Sequence, residues 1–279
     1  MAHEDATHPQ GDAGPEGYTV GYRPWLLQLL SQRRVATDGA FLVPHVRPGM
    51  RLLDCGCGPG MMTVEWAKLV APGEVVGLDL EVRQCAAGRA RARADGVANV
   101  RFVGGHLYAL PFPAHTFEAV VAHAVVYHLR EPHRALTEMY RVLTPGGVIG
   151  LRDADHGGNV YAPTHPTLTR AWELIDRVLQ YHGAQPFLGR TQRALLRAVG
   201  FQRIVASASY DHYGTPETVQ SFGAYWAEFL GHLHAELILT QGWVDRPTLE
   251  ALCAALTAWG AHPDAFYART RCEAVGWKA

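Results

Sequence analysis

Lysine is almost absent: 279 residues hold only Lys68 and Lys278, so nearly all positive charge is arginine. Net charge is absent too, with 25 Lys+Arg against 26 Asp+Glu. A balanced chain carries no electrostatic footprint for nucleic acid. No apolar run approaches the roughly 20 residues of a membrane span. The opening MAHEDATHPQGDAGPEG lacks the apolar core of a signal peptide. The expectation is a cytoplasmic protein without a membrane or nucleic-acid partner. Five cysteines include Cys55 and Cys57, two apart, with Cys85, Cys253 and Cys272 scattered. That pattern is neither a disulfide framework nor a CxxC knuckle. His232 and His234 are two apart in a predicted helix and so face different ways, and no metal is expected. Charged residues are only 18%, against 48% hydrophobic, which excludes global disorder and provides for a core.

What is present alternates. Residues 1–17 read as a disordered tail, and 18–48 as a helical cap carrying Trp25, Leu26, Leu29 and Leu30 on one stripe, closed by Pro44 and Pro48. Strands are predicted at 50–55, 74–80, 100–105, 117–122 and 148–155, with helices at 61–71, 82–94 and 131–143 between them. This rhythm implies a parallel sheet covered on both faces. After Asp155 the pattern becomes helical at 163–183, 190–199 and 216–262, with strands at 201–210 and 265–277. The fold expected is α/β: a doubly wound, mostly parallel seven-stranded, Rossmann-like sheet with helical insertions forming a lid. One domain spans 18–279, its cofactor half at 49–155 and its substrate side at 156–279.

The strongest local signal is Asp54-Cys55-Gly56-Cys57-Gly58-Pro59-Gly60, between a strand and a helix. Glycines there let the chain turn and let a ligand approach without a Cβ in the way. A dinucleotide site wants GxGxxG and a pyrophosphate at a helix N-terminus. This loop is GxGxG behind a carboxylate, which would repel a pyrophosphate. A phosphate-binding P-loop needs GKS or GKT, whereas Met61-Met62-Thr63 follows here. A cationic, phosphate-free ligand suits the loop, and Asp79 at the next strand end is placed to accept two ribose hydroxyls.

LLDCGCGPG, VVGLDLE, LPFPAHTFEAVVAHAVVYHL and RVLTPGG, in that order, resemble the class I S-adenosylmethionine-dependent methyltransferases. The branch most resembled is the small-molecule group related to the ubiquinone/menaquinone methyltransferases. The resemblance is dense over 18–155. It implies S-adenosylmethionine as cofactor and S-adenosylhomocysteine as product. It places Asp54 at the methionine amine, with Gly56, Gly58 and Gly60 passing the cofactor. Asp79 would hold the ribose and Leu80 pack on the adenine. Gly105, His106 and Leu107 would flank the adenine, and His123 would lie beside the methionine moiety. His106 departs from the Asp of many relatives.

Methyl transfer from a sulfonium is an in-line displacement in which positioning can suffice. Residues following strands four and five are the catalytic candidates: His123, His128 and Asp155. Tyr127 and His156 lie nearby as substrate candidates, with Tyr22 from the cap and Tyr225 and Trp226 from the 216–262 segment. Phe222/Trp226 and Tyr225/Phe229 are i, i+4 pairs, readable as core or as a pocket for an apolar or aromatic metabolite. Methyl transfer to O, N or C of a small molecule is the leading function. A cofactor-retaining relative performing a cyclisation or elimination, and a non-catalytic nucleotide sensor, stay open, as does monomer against homodimer.

Overall fold

The computed structural model describes residues 29–279. The tail 1–17, Tyr18, Tyr22, Trp25 and Leu26 lie outside the described residues. A short helix α1 (Val35–Asp38) leads to β1 (Leu52–Cys55), α2 (Met61–Val70), β2 (Val75–Asp79), α3 (Val82–Ala94), β3 (Val100–Gly104), β4 (Phe117–His123), α4 (Pro132–Val142) and β5 (Leu143–Ala154). The second half runs β6 (Val160–Ala162), α5 (Pro166–Tyr181), α6 (Gln192–Val199), β7 (Gln202–Tyr213), α7 (Pro216–Glu228), α8 (Ala235–Thr240), α9 (Arg246–Gly260) and β8 (Phe266–Trp277).

The sheet order is β3-β2-β1-β4-β5-β8-β6, with β7 paired to β8. The first four pairings are parallel and every pairing of β8 is antiparallel. Strands β1 and β2 are buried along their whole length, which explains their unbroken apolar runs: both faces are covered. Side chains alternate between two cores. Leu52, Val75, Ala119 and Val148 pack with Trp66 of α2 and Leu42, while Leu53, Val76, Val120 and Ile149 pack with Leu136 and Met139 of α4. A third core joins α5, α7 and α9 to the end of β8 through Phe222, Trp226, Trp259 and Tyr267.

Eight strands replace the seven expected. The extra strand, β6, has three residues, too short for periodicity to show. The 216–262 helix is in fact interrupted. A π-helical turn at Phe229–Leu233 follows α7, and α9 starts afresh where Asp245 Oδ1 accepts the Thr248 N–H at 2.9 Å. No described helix is long and apolar enough to cross a membrane.

Gly88 fixes how α3 lies on the sheet. A Cβ there would sit 2.4 Å from Phe102 Cε1, and one at Gly60 would meet Gly88 Cα at 2.9 Å. Glycine to alanine in an open helix gains roughly 1 kcal/mol. Gly88→Ala should reverse that sign and cost about 1–3 kcal/mol through overpacking. Urea unfolding checks it, and a stabilised variant would show that Phe102 gives way.

Candidate active site

The ends of β1, β2, β3 and β4 and the loops after them build one cavity of about 320 Å³. Asp54, Gly56, Gly58, Asp79, Leu80, His106, Leu107, His123 and His128 all line it. Nine of the residues singled out in the sequence thus meet at one place. Leu30, Arg33, Met61, Met62 and Val125 also line it; none was singled out in the sequence as a site residue.

At one end sit the two acids. Asp54 is buried, and its Oδ2 accepts the Thr63 hydroxyl at 2.7 Å. Burial lifts its carboxyl from 3.8 to about 6, against the pull of Thr63. Asp79 accepts the Gly58 N–H at 2.8 Å and the Glu81 N–H at 2.9 Å. It therefore ties the glycine loop to its own strand end. Each oxygen holds a second lone pair, so Asp79 can still receive hydroxyls from the cavity. Burial raises its carboxyl as well. Leu80, 54% exposed on the rim, offers an apolar face that a flat base would cover. A desolvated carboxylate, a second strand-end acid and an exposed leucine fit the ammonium, ribose and adenine of an adenosyl amino acid.

The glycine loop touches the loop after β4. A Cβ on Gly56 would lie 2.4 Å from Val125 Cγ2, so no other residue fits. Asp153 holds that second loop from below, its Oδ1 accepting the Val125 N–H at 2.9 Å and the Tyr127 N–H at 3.4 Å. Its Oδ2 accepts from Gln192 Nε2 at 3.1 Å. Asp153 and Arg152 leave β5 on opposite faces and do not pair.

Arg152 organises the opposite side. Its Nη1 donates to His123 Nε2 at 2.8 Å and to Asp38 Oδ1 at 3.3 Å; its Nη2 donates to Ser209 Oγ at 3.1 Å and Asp211 Oδ1 at 2.8 Å. Its Nε reaches Glu273 Oε1 at 3.3 Å. Guanidinium only donates, so His123 Nε2 is an acceptor and the ring is neutral with its proton on Nδ1. Burial, then the charges of Arg33, Arg152 and Arg271, hold this imidazole well below its usual range. His123 Nδ1 is buried without a hydrogen-bond partner among the described residues. His123 is thus a hydrogen-bond donor, and its only lone pair is committed. His128 is pushed down to about 3 by burial, then by Arg271, Arg33, His156 and Arg269; it too stays neutral.

Other expected residues sit elsewhere. Asp155 is absent from the cavity wall: its carboxylate accepts from Arg190 N at 2.9 Å, Nε at 2.8 Å and Nη2 at 2.6 Å. Burial opposes its charge, but Arg190 holds the carboxyl below its usual value. Asp155, a catalytic candidate from the sequence, is held here in an ion pair with Arg190. His156 Nδ1 bonds Asp176 Oδ1 at 2.5 Å, also off the wall. Tyr127 is buried beside His128, ring centroids 3.8 Å apart. Tyr225 and Trp226 pack in the third core and are not among the cavity's lining residues; of the two readings open for this face, core is the one the packing fits. Gly60 and Gly105 shape packing: their Cβ positions would meet Phe102 and Leu78. His106 Nδ1 accepts the Tyr108 N–H at 3.2 Å.

Comparisons with known proteins bear on this geometry. Residues 53–151 match a family described as a methyltransferase domain. "Probable methyltransferase ltbC" of Aspergillus luteorubrus is 32% identical over 285 residues, spanning 94% of this chain and 97% of that one. The ubiquinone/menaquinone biosynthesis C-methyltransferase UbiE of Pasteurella multocida is 38% identical over 104 residues, 37% of this chain and 39% of the relative. Among solved structures, the YcgJ protein of Bacillus superposes with a TM-score of 0.58 at 19% identity, over 87% of this chain and 98% of that one. That likeness is one of fold.

Two outcomes are expected for S-adenosylhomocysteine binding, read by calorimetry. Below pH 6 or so Asp54 is neutral and cannot pair with an ammonium. Affinity should therefore fall by up to about tenfold per pH unit there, and the dependence should vanish in Asp54→Asn. Flat wild-type affinity between pH 5 and 7 would remove Asp54 from the amine. The ligand-free protein shows the other side of the same shift. The folded state keeps the Asp54 proton longer than the unfolded chain, so this group's contribution to stability declines as pH rises from 3.8 to about 6. Asp79→Ala should weaken binding by about 1.5–3 kcal/mol; unchanged affinity would place the ribose elsewhere.

Proposed function

Because the chain belongs to the class I S-adenosylmethionine-dependent methyltransferases related to the ubiquinone/menaquinone enzymes, with S-adenosylmethionine as methyl donor, we propose that it methylates a small organic acceptor on O, N or C. The observation that carries this reading is the single cavity joining Asp54 and Asp79 to His123 and His128. One end matches the donor in chemistry, and the acceptor is assigned to the other. Met61, Met62, Val125 and Leu129 on its wall suit an acceptor with an apolar or aromatic body.

The bound donor supplies a sulfonium whose methyl carbon is open to in-line displacement. In this proposal Asp54 pairs with the ammonium, Asp79 receives the ribose hydroxyls, and Leu80 and Leu107 cover the adenine. His123, its Nε2 lone pair held by Arg152, orients rather than deprotonates. His128, with its imidazole near 3, is too weak a base to take a proton from an alcohol or amine near neutrality. Catalysis then rests on placing an already reactive atom about 3–3.5 Å from the methyl carbon.

Incubation with labelled methyl donor and a panel of acceptors tests the reading, with S-adenosylhomocysteine formation as readout. Turnover without that product would favour the cofactor-retaining alternative. His128→Asn should keep at least a tenth of kcat, because loss of a true general base costs about 10²–10⁴. A hundredfold fall with unaltered S-adenosylhomocysteine affinity would make His128 the base.

A further inference from the structure

One face of the β7–β8 pair carries a row of polar side chains behind the cavity. The register sets Tyr213 beside Tyr267, Asp211 beside Arg269 and Ser209 beside Arg271. Asp211 serves two cations, Arg152 Nη2 at 2.8 Å and Arg271 Nε at 2.6 Å. Burial would raise its carboxyl, but those two arginines hold it well below the ordinary range. Its charge is spent on them.

Among the described residues Arg269 has no such partner. It lies over three rings, 5.9 Å from Tyr213, 5.3 Å from Phe222 and 5.9 Å from Trp226. Its Nε is shielded from solvent without a hydrogen-bond acceptor. Arg271 Nη1, the Tyr213 hydroxyl and Trp226 Nε1 are also buried and unmatched. The unused hydrogen-bonding capacity at this place is almost wholly donor capacity. Aromatic faces attract a guanidinium, but they do not accept an in-plane N–H, and a buried charged donor left unmatched is costly. His128, on the cavity wall, experiences the charges of both Arg269 and Arg271. Arg271 shares Asp211 with Arg152, and Arg152 Nη1 reaches His123 on the cavity wall, so the arginine pair stands behind that wall.

We infer that the acceptor is an anionic small molecule whose carboxylate is held by Arg269, with Arg271 and Tyr213 as further donors. This rests on the methyl-transfer reading and adds the charge of its substrate. Carboxylate geometry matches the guanidinium fork. The surrounding Phe222 and Trp226 rings strengthen the pairing by excluding water.

The full chain loaded with S-adenosylhomocysteine is titrated calorimetrically with benzoate and with octanoate, each against its neutral amide. At least one carboxylate should bind tenfold or more tightly than its amide. Arg269→Gln should abolish that preference while S-adenosylhomocysteine affinity stays within threefold. Equal binding of acid and amide in both pairs, or no binding of any probe, overturns the inference in the wild-type protein, whether or not the variant folds. A preference that survives in folded Arg269→Gln overturns it as well. The underlying reading fails differently: S-adenosylhomocysteine itself would then not bind.

Discussion

Arg152 is the interaction on which the rest depends. One guanidinium, 3% exposed, joins α1 through Asp38, β4 through His123, β7 through Ser209 and Asp211, and β8 through Glu273. A cation so placed requires nearby anions, and three carboxylates supply them. It also settles the state of His123, because a group that can only donate forces the facing nitrogen to accept. The local chemistry of the cavity wall thus follows from a residue behind it.

The cavity has a polarity along its length. Asp54 and Asp79 concentrate negative charge beside the glycine loop, while Arg271 and Arg269 lower the basicity of His128. Such a field favours a cation at one end and an anion at the other. A sulfonium and an acceptor of opposite sign would be drawn together along it without a proton-removing side chain.

How much of this was legible in the sequence depends on distance along the chain. The Asp54-to-Gly60 loop, and Asp79 at the next strand end, announce themselves because a turn and its glycines are local. The alternating strands likewise show in short windows. The Arg152 contacts to Asp38 and Glu273 span 114 and 121 residues, and no periodicity links them. Asp155 looked catalytic from its position after β5, but Arg190, 35 residues on, had already claimed it. The aromatic pairs of 216–229 were consistent with core and with pocket. What decides for core is Trp172 and Tyr267, whose rings lie 6.0 Å and 4.5 Å from Phe222.

Gly56 and Val125 lie so close that a single methylene between them cannot be accommodated. The loop that receives the donor and the loop that borders the acceptor therefore share one wall, with Asp153 pinning its far side. A displacement of a few tenths of an ångström on one side must be taken up on the other. In the proposed reaction this contact is where donor and acceptor affinities would be linked. Whatever free energy one ligand lends the other is returned in equal measure, so order of addition at this site is a matter of mechanics as well as of concentration.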